Sequence, residues 1–153
     1  MTASARLAEL GITLPDVPAP VAAYVPAVRV GDLVHTSGQL PFVDGRLAGT
    51  GKVGAEVDAD AAAGLARIAA LNGVAAAAAA AGGLDAIEQV VKLVVFVASD
   101  PEFTGQPAVA NGASLLIGDI FGEAGRHARS AVGVAVLPLN SPVEVELIVR
   151  VRG

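Results

Sequence analysis

Two acids and a cation near the end of the chain have a spacing that suits chemistry. Glu144 and Glu146 alternate with Val143, Val145, Leu147, Val149 and Val151, which places both carboxylates on one face of a strand and the apolar residues on the other. Ile148 and Arg150 fall on the same face as the two acids. A strand face that carries two carboxylates must meet water, a cation or a partner. Arg129 stands at the mouth of the preceding strand pattern, Val132, Val134 and Val136, where it could supply that cation. A guanidinium grips a carboxylate through two parallel hydrogen bonds, and a carboxylate can take a proton from water and return it. Singly, an arginine at a strand start and a glutamate on a strand face are ordinary solvated charges. Their coincidence on neighbouring regular elements makes Arg129, Glu144 and Glu146 the candidate site.

Other chemistries fit less well. The chain has no cysteine, which excludes disulfides, thiolate metal sites and a cysteine nucleophile. His35 and His127 are the only histidines, neither has a carboxylate at ligand spacing, and no metal is expected. Ser37 belongs to no nucleophile motif. Gly49-Thr50-Gly51-Lys52-Val53-Gly54 matches a dinucleotide fingerprint, but no buried strand precedes it and no acid follows at the ribose position. It reads as a flexible glycine loop. A P-loop fails there too, with Arg46 in place of the first glycine and Val53 in place of the hydroxyl residue. A net charge of −5, from 10 basic and 15 acidic residues, opposes nucleic-acid binding.

The elements that must position these residues follow from the pattern. Residues 2–10 read as a short helix stopped by Gly11, and residues 14–20, with three prolines, as extended chain. Residues 24–30 and 33–37 read as a hairpin about Gly31-Asp32, with Pro26 forcing an edge position or a late start to the pairing. Residues 41–58 form a loop with a short strand at Arg46-Leu47. Asp58 or Asp60 caps a long alanine helix that ends at Gly82-Gly83, with Leu65, Ile68, Leu71 and Val74 as its heavier stripe. The run over 86–98 is apolar on both faces and is expected to be a central, doubly covered strand. A second helix runs from Thr104 or Gln106 to Phe121, weakened by Gly112 and Gly118. A terminal hairpin, turning at residues 137–142, closes the order ββ-α-β-α-ββ. One mixed β-sheet with both helices on one face is the expected α+β arrangement.

The 153 residues suit a single domain, 1–153, in which residues 1–20 form an N-terminal extension. At 54% apolar the chain is greasy for its class, through its alanines or through surface that closes on other subunits. The apolar run over 73–84 is too short to span a bilayer, and the N-terminus, with Arg6 and Glu9, lacks a signal-peptide core. No membrane partner and a cytoplasmic location are expected.

Several segments in order resemble the Rid family (reactive intermediate deaminases, YjgF-type proteins). Ala128-Arg129-Ser130, the following Val-x-Val-x-x-Leu-Pro, and Val143-Glu144-Val145-Glu146 resemble its C-terminal signature. Thr36-Ser37-Gly38-Gln39-Leu40-Pro41 resembles its Ser-Gly-Gln-x-Pro segment, Tyr24-Val25 precedes it at the family spacing, and Val94-Phe96-Val97, Asp100 and Asn111 also fit. The resemblance spans residues 21–151. It implies a chorismate-mutase-like fold, a homotrimer with clefts between subunits, no cofactor, and hydrolysis of enamines and imines such as 2-aminoacrylate to 2-keto acids and ammonia. Carried over residue by residue, Arg129 would hold the substrate carboxylate and Glu144 would position or activate water. Tyr24, Ser37 and Gly38 would line the pocket, with Asn111 at its rim and Ala131 where many members carry a small polar or sulfur side chain. His127 replaces a proline common in the family's deaminases, and Gly112 replaces a bulkier residue. A non-catalytic trimeric binding module is the alternative implied, and an endoribonuclease the third.

Overall fold

The structure, a computed structural model, describes residues 1–18 and 23–153. Along the chain it contains α1 (Ala3–Leu10), β1 (Ala27–Val30), β2 (Leu33–Thr36), β3 (Phe42–Val43), β4 (Arg46–Leu47) and α2 (Ala59–Ala81). Then follow β5 (Ile87–Ala98), α3 (Gln106–Phe121), β6 (Ala128–Val134) and β7 (Val143–Val151). The main sheet has the order β1-β2-β7-β5-β6, and β3-β4 is a separate small hairpin. Helices α2 and α3 pack side by side on one face: α2 over β7, β2 and β1, and α3 over β5 and β6. This is the expected α+β arrangement. The extended stretch expected over 14–20 ends in residues outside the described ones.

Local chemistry sets the element ends. The Asp58 carboxylate accepts from the Ala61 amide at 2.8 Å, and Gly82, with φ 88°, ends α2 in the left-handed conformation. Pairing of β1 starts at Ala27, directly after Pro26, as the missing proline amide requires. Gly31-Asp32 makes the hairpin turn, Val30 pairing with Leu33. The buried face of α2 is its alanines, with Val74, whereas Leu65, Ile68 and Leu71 lie half-buried on its flank. Small side chains bring the helix close: a methyl group on Gly73 would sit 3.3 Å from Leu147, and one on Gly112 would fall 1.9 Å from the Ala63 carbonyl oxygen. Gly112 is therefore the contact point of the two helices, not a weakness in α3. At 23 residues α2 is long and apolar enough to cross a membrane, but most of it is buried in this fold.

Three expectations are corrected. First, β6 and β7 form no hairpin. Helix α3 returns the chain so that β6 runs parallel to β5, and residues 135–142 then carry it across to the slot between β5 and β2, where β7 pairs antiparallel with both. Second, β5 is not covered on both faces. Leu93, Val95 and Val97 are buried beneath the helices, but Lys92, Val94 and Phe96 lie on the uncovered face. Third, the glycine loop over 49–54 is docked rather than flexible. The Gly51 amide donates to the Asn140 carbonyl at 2.9 Å, the Val53 amide to Ala98 at 2.8 Å, and the Asp100 amide to Val53 at 2.9 Å. Two of the amides a phosphate would need are thus spent on the protein's own carbonyls.

Candidate functional site

Strand register decides where each side chain goes, because paired residues point to the same face and neighbours along a strand to opposite faces. In β7, Val143, Val145, Leu147, Val149 and Val151 are buried under α2, and Glu144, Glu146, Ile148 and Arg150 lie on the other face, as the alternation predicts. Glu144 pairs with Phe96 and Glu146 with Val94, both on the uncovered side. Arg129 pairs with Leu93, which is buried under the helices. Arg129 and Glu144 therefore lie on opposite faces of the sheet, with β5 between their strands. Within one chain the structure does not bring the expected cation and carboxylate together.

It builds two separate clusters instead. The first surrounds Glu144. Between His35–Ile148 and the Gln39–Val145 bridge, β2 has one residue more than β7, so the chain bulges at Ser37-Gly38. The Thr36 hydroxyl accepts from the Leu147 amide at 3.0 Å inside the bulge. The Ser37 hydroxyl donates to the Val25 carbonyl at 2.6 Å and ties the Tyr24 segment down. Gly38 lies against Glu144: a methyl group there would fall 1.9 Å from the carboxylate oxygen Oε1. Tyr24, Ser37, Gly38 and Glu144 line one open cleft of about 1190 Å³, whose apolar walls include Leu14, Phe42 and Ile68. Burial pushes the Glu144 carboxyl above the usual glutamate range, and the nearby Glu146 charge adds to this. Among the described residues no cation is in ion-pair contact with Glu144.

The second cluster is on edge strand β6 and helix α3. The Arg129 Nη1 donates to Asn111 Oδ1 at 2.8 Å and to Ser114 Oγ at 3.2 Å. Asn111 and Ser114 are one helical turn apart, so both face Arg129. Both contacts use Nη1; a guanidinium has five donors, and its Nη2–Nε edge is the carboxylate-matching edge that these contacts leave uncommitted. Ala131, paired with Val95, packs against the core beside this group. His127 reaches Ser114 Oγ through Nε2 at 2.9 Å. Sequence reasoning named Asn111 but missed Ser114 and noted His127 only as a departure. The three-residue spacing from Asn111 on a helix was the available signal for Ser114.

A family model described as "YjgF/chorismate_mutase-like, putative endoribonuclease" matches residues 4–151. The chain belongs to the Rid/YjgF family. The match takes in α1, which packs on α3. Protein TCP17 of Trypanosoma cruzi is 49% identical to this Rid/YjgF chain over 97% of it and 94% of the relative. The crystal structure of Atu1372 from Agrobacterium tumefaciens, a protein of unknown function, is 48% identical with a TM-score of 0.89, covering 98% of this chain and 92% of that one. RidA from an Antarctic Psychrobacter is 31% identical with a TM-score of 0.61, covering 88% and 94%. The chorismate-mutase-like fold implied by the sequence resemblance is the fold found.

Proposed function

We propose that this Rid/YjgF protein hydrolyses small 2-imino and 2-enamino acids to 2-keto acids and ammonia, in clefts that two neighbouring subunits of a homotrimer form together. The observation that carries this reading is the division of the site. Glu144 lies on the uncovered sheet face and Arg129 on the helix side of an edge strand; in this reading a second copy joins them. The uncovered face favours such a copy. Val28, Val94, Phe96, Val132 and Ile148 lie on it, an apolar surface costly to leave in water. Closing three sheets about an axis buries it and sets the edge strand of one subunit against the cleft of the next. Tyr24, 64% exposed in the single chain, lines the Glu144 cleft that such packing would close.

In this reading the Arg129 guanidinium holds the substrate carboxylate and fixes C2 of the imine. Glu144 takes a proton from water as the oxygen adds to C2 and gives it to the nitrogen; it then passes the hydroxyl proton of that adduct to the nitrogen as the C2–N bond breaks, which releases the keto acid and ammonia. A carboxyl with raised proton affinity suits that exchange better than an ordinary one. A protonated imine adds water readily, so the site must orient more than activate, and the proposed reaction needs no metal or cofactor. The product ammonia and keto acid leave to the cytoplasm, where we place the protein.

The test generates an imino acid in situ from an amino acid and follows keto-acid release. Arg129→Ala should lose the catalysed rate, the charge-assisted pair being worth about 1.5–3 kcal/mol of binding. Equal rates for wild type and Arg129→Ala would sink the reading. A keto acid bound at Arg129 with no turnover would favour the binding-module alternative.

A further inference from the structure

Behind Arg129 runs a chain of hydrogen bonds in which each link fixes the direction of the next. The His127 Nδ1 lies 2.6 Å from the Gly125 carbonyl oxygen. A carbonyl only accepts, so Nδ1 carries the hydrogen. When the ring carries that one hydrogen, it presents a lone pair at Nε2, 2.9 Å from Ser114 Oγ, and the Ser114 hydroxyl donates into it. That turns the lone pairs of Ser114 toward Arg129, whose Nη1 donates across 3.2 Å. The other Nη1 hydrogen goes to Asn111 Oδ1 at 2.8 Å. The far end of the chain is rigid. Gly125 is buried, and a methyl group on it would fall 2.6 Å from the Ile117 carbonyl oxygen of α3.

We propose that His127 and Ser114 are positioning residues for Arg129: they lock its Nη1 side so that the Nη2–Nε edge faces outward to receive a carboxylate. This rests on Arg129 being the carboxylate holder and deepens that reading. A long side chain on an edge strand has many rotamers, and freezing it before the ligand arrives removes that ordering cost from binding. The bridge between a carbonyl and a hydroxyl needs a donor on one side and an acceptor on the other. Imidazole with hydrogen on Nδ1 provides both at the required span. Proline, the residue the family's deaminases commonly carry at this position, provides neither.

The experiment measures pyruvate binding by calorimetry, and kcat and KM for an imino acid generated in situ, on the full chain. The variants are Ser114→Ala, His127→Leu, His127→Gln and Arg129→Ala, each with its thermal unfolding midpoint. Ser114→Ala and His127→Leu should weaken pyruvate binding and raise KM by about fivefold, the worth of one hydrogen bond, with kcat nearly unchanged. His127→Gln, whose amide oxygen can replace the Nε2 acceptor, should recover most of the loss. Wild-type KM and pyruvate affinity in Ser114→Ala and His127→Leu, alongside their loss in Arg129→Ala, would overturn the positioning role and leave the reading of Arg129 standing. A His127→Gln protein that folds but binds no better than His127→Leu would overturn it too. Unchanged binding and turnover in Arg129→Ala would overturn both.

Discussion

Gly38→Ala separates the placement of Glu144 from its presence. The added methyl group would lie 1.9 Å from Glu144 Oε1, 2.7 Å from Cδ and 2.9 Å from Cγ. Ordinary contacts between such atoms are about 3.5 Å, so the carboxylate must move by more than about 1 Å. A displacement of that size at a reacting group costs about 10²-fold in rate. The fold should tolerate it. Gly38 does not sit in the left-handed region, so alanine can adopt its backbone. The substitution stiffens the unfolded chain, worth about 0.4–1 kcal/mol of stability. Forcing Glu144 off its rotamer costs about 0.5–1.5 kcal/mol, so the two nearly cancel. The assay is keto-acid release from an imino acid generated in situ, with thermal unfolding alongside. The variant should be about 10² slower at an unchanged unfolding midpoint. In a Glu144→Gln background the same change should cost little more, because both act through one carboxylate. A Gly38→Ala protein within about threefold of wild type, against the expected loss of about 10²-fold, would refute the reasoning.

Glu144→Gln keeps the shape and removes the base, and should lower kcat by about 10²–10⁴-fold in the same assay. Gly112→Ala drives a methyl group to 1.9 Å from the Ala63 carbonyl oxygen and should lower stability by about 1–3 kcal/mol in chemical denaturation. Gly118→Ala, on the same helix with nothing within 4 Å, should instead raise it by about 0.5–1 kcal/mol. Asp85 accepts hydrogen bonds from the Ser4 amide and hydroxyl, and these hold its carboxyl below the usual aspartate range. A depressed folded-state value contributes stability above the unfolded value and loses it as pH falls through the folded one. Asp85→Ala should therefore lower the unfolding midpoint at neutral pH and leave it unchanged in acid; an equal effect at both would contradict this.

Local features of the fold were legible where one or two residues decide them. Pro26 sets where β1 begins to pair, Gly31-Asp32 sets the first hairpin, and Asp58 and Gly82 bracket α2. The alternation of β7 gave the face of Glu144 correctly. Strand neighbours were not legible. The pattern of valines in β6 and β7 is that of a hairpin, and nothing local to it says that β5 occupies the place between them. That error placed Arg129 beside Glu144, whereas its register with Leu93 turns it to the helices. The loop over 49–54 looked loose because its anchors, Ala98 and Asn140, are distant in sequence. The resemblance named Tyr24, Ser37, Gly38 and Asn111, and the structure sets the first three by Glu144 and the last against Arg129. Ser114 carried no motif. Its place on the face of α3 that meets β6 is a tertiary fact.

The division of the site between subunits is tested most directly by mixing two inactive proteins. Arg129→Ala lacks one half-site and Glu144→Gln lacks the other. Unfolded together in equal amounts and refolded, they should assemble at random into three-membered rings. A cleft is intact when an Arg129→Ala subunit supplies Glu144 and its neighbour supplies Arg129, which holds for about one cleft in four. The mixture should recover about a quarter of the wild-type rate of keto-acid release, while each variant refolded alone stays inactive. A mixture as inactive as its components, with trimers confirmed by light scattering, would show that no site is shared between chains.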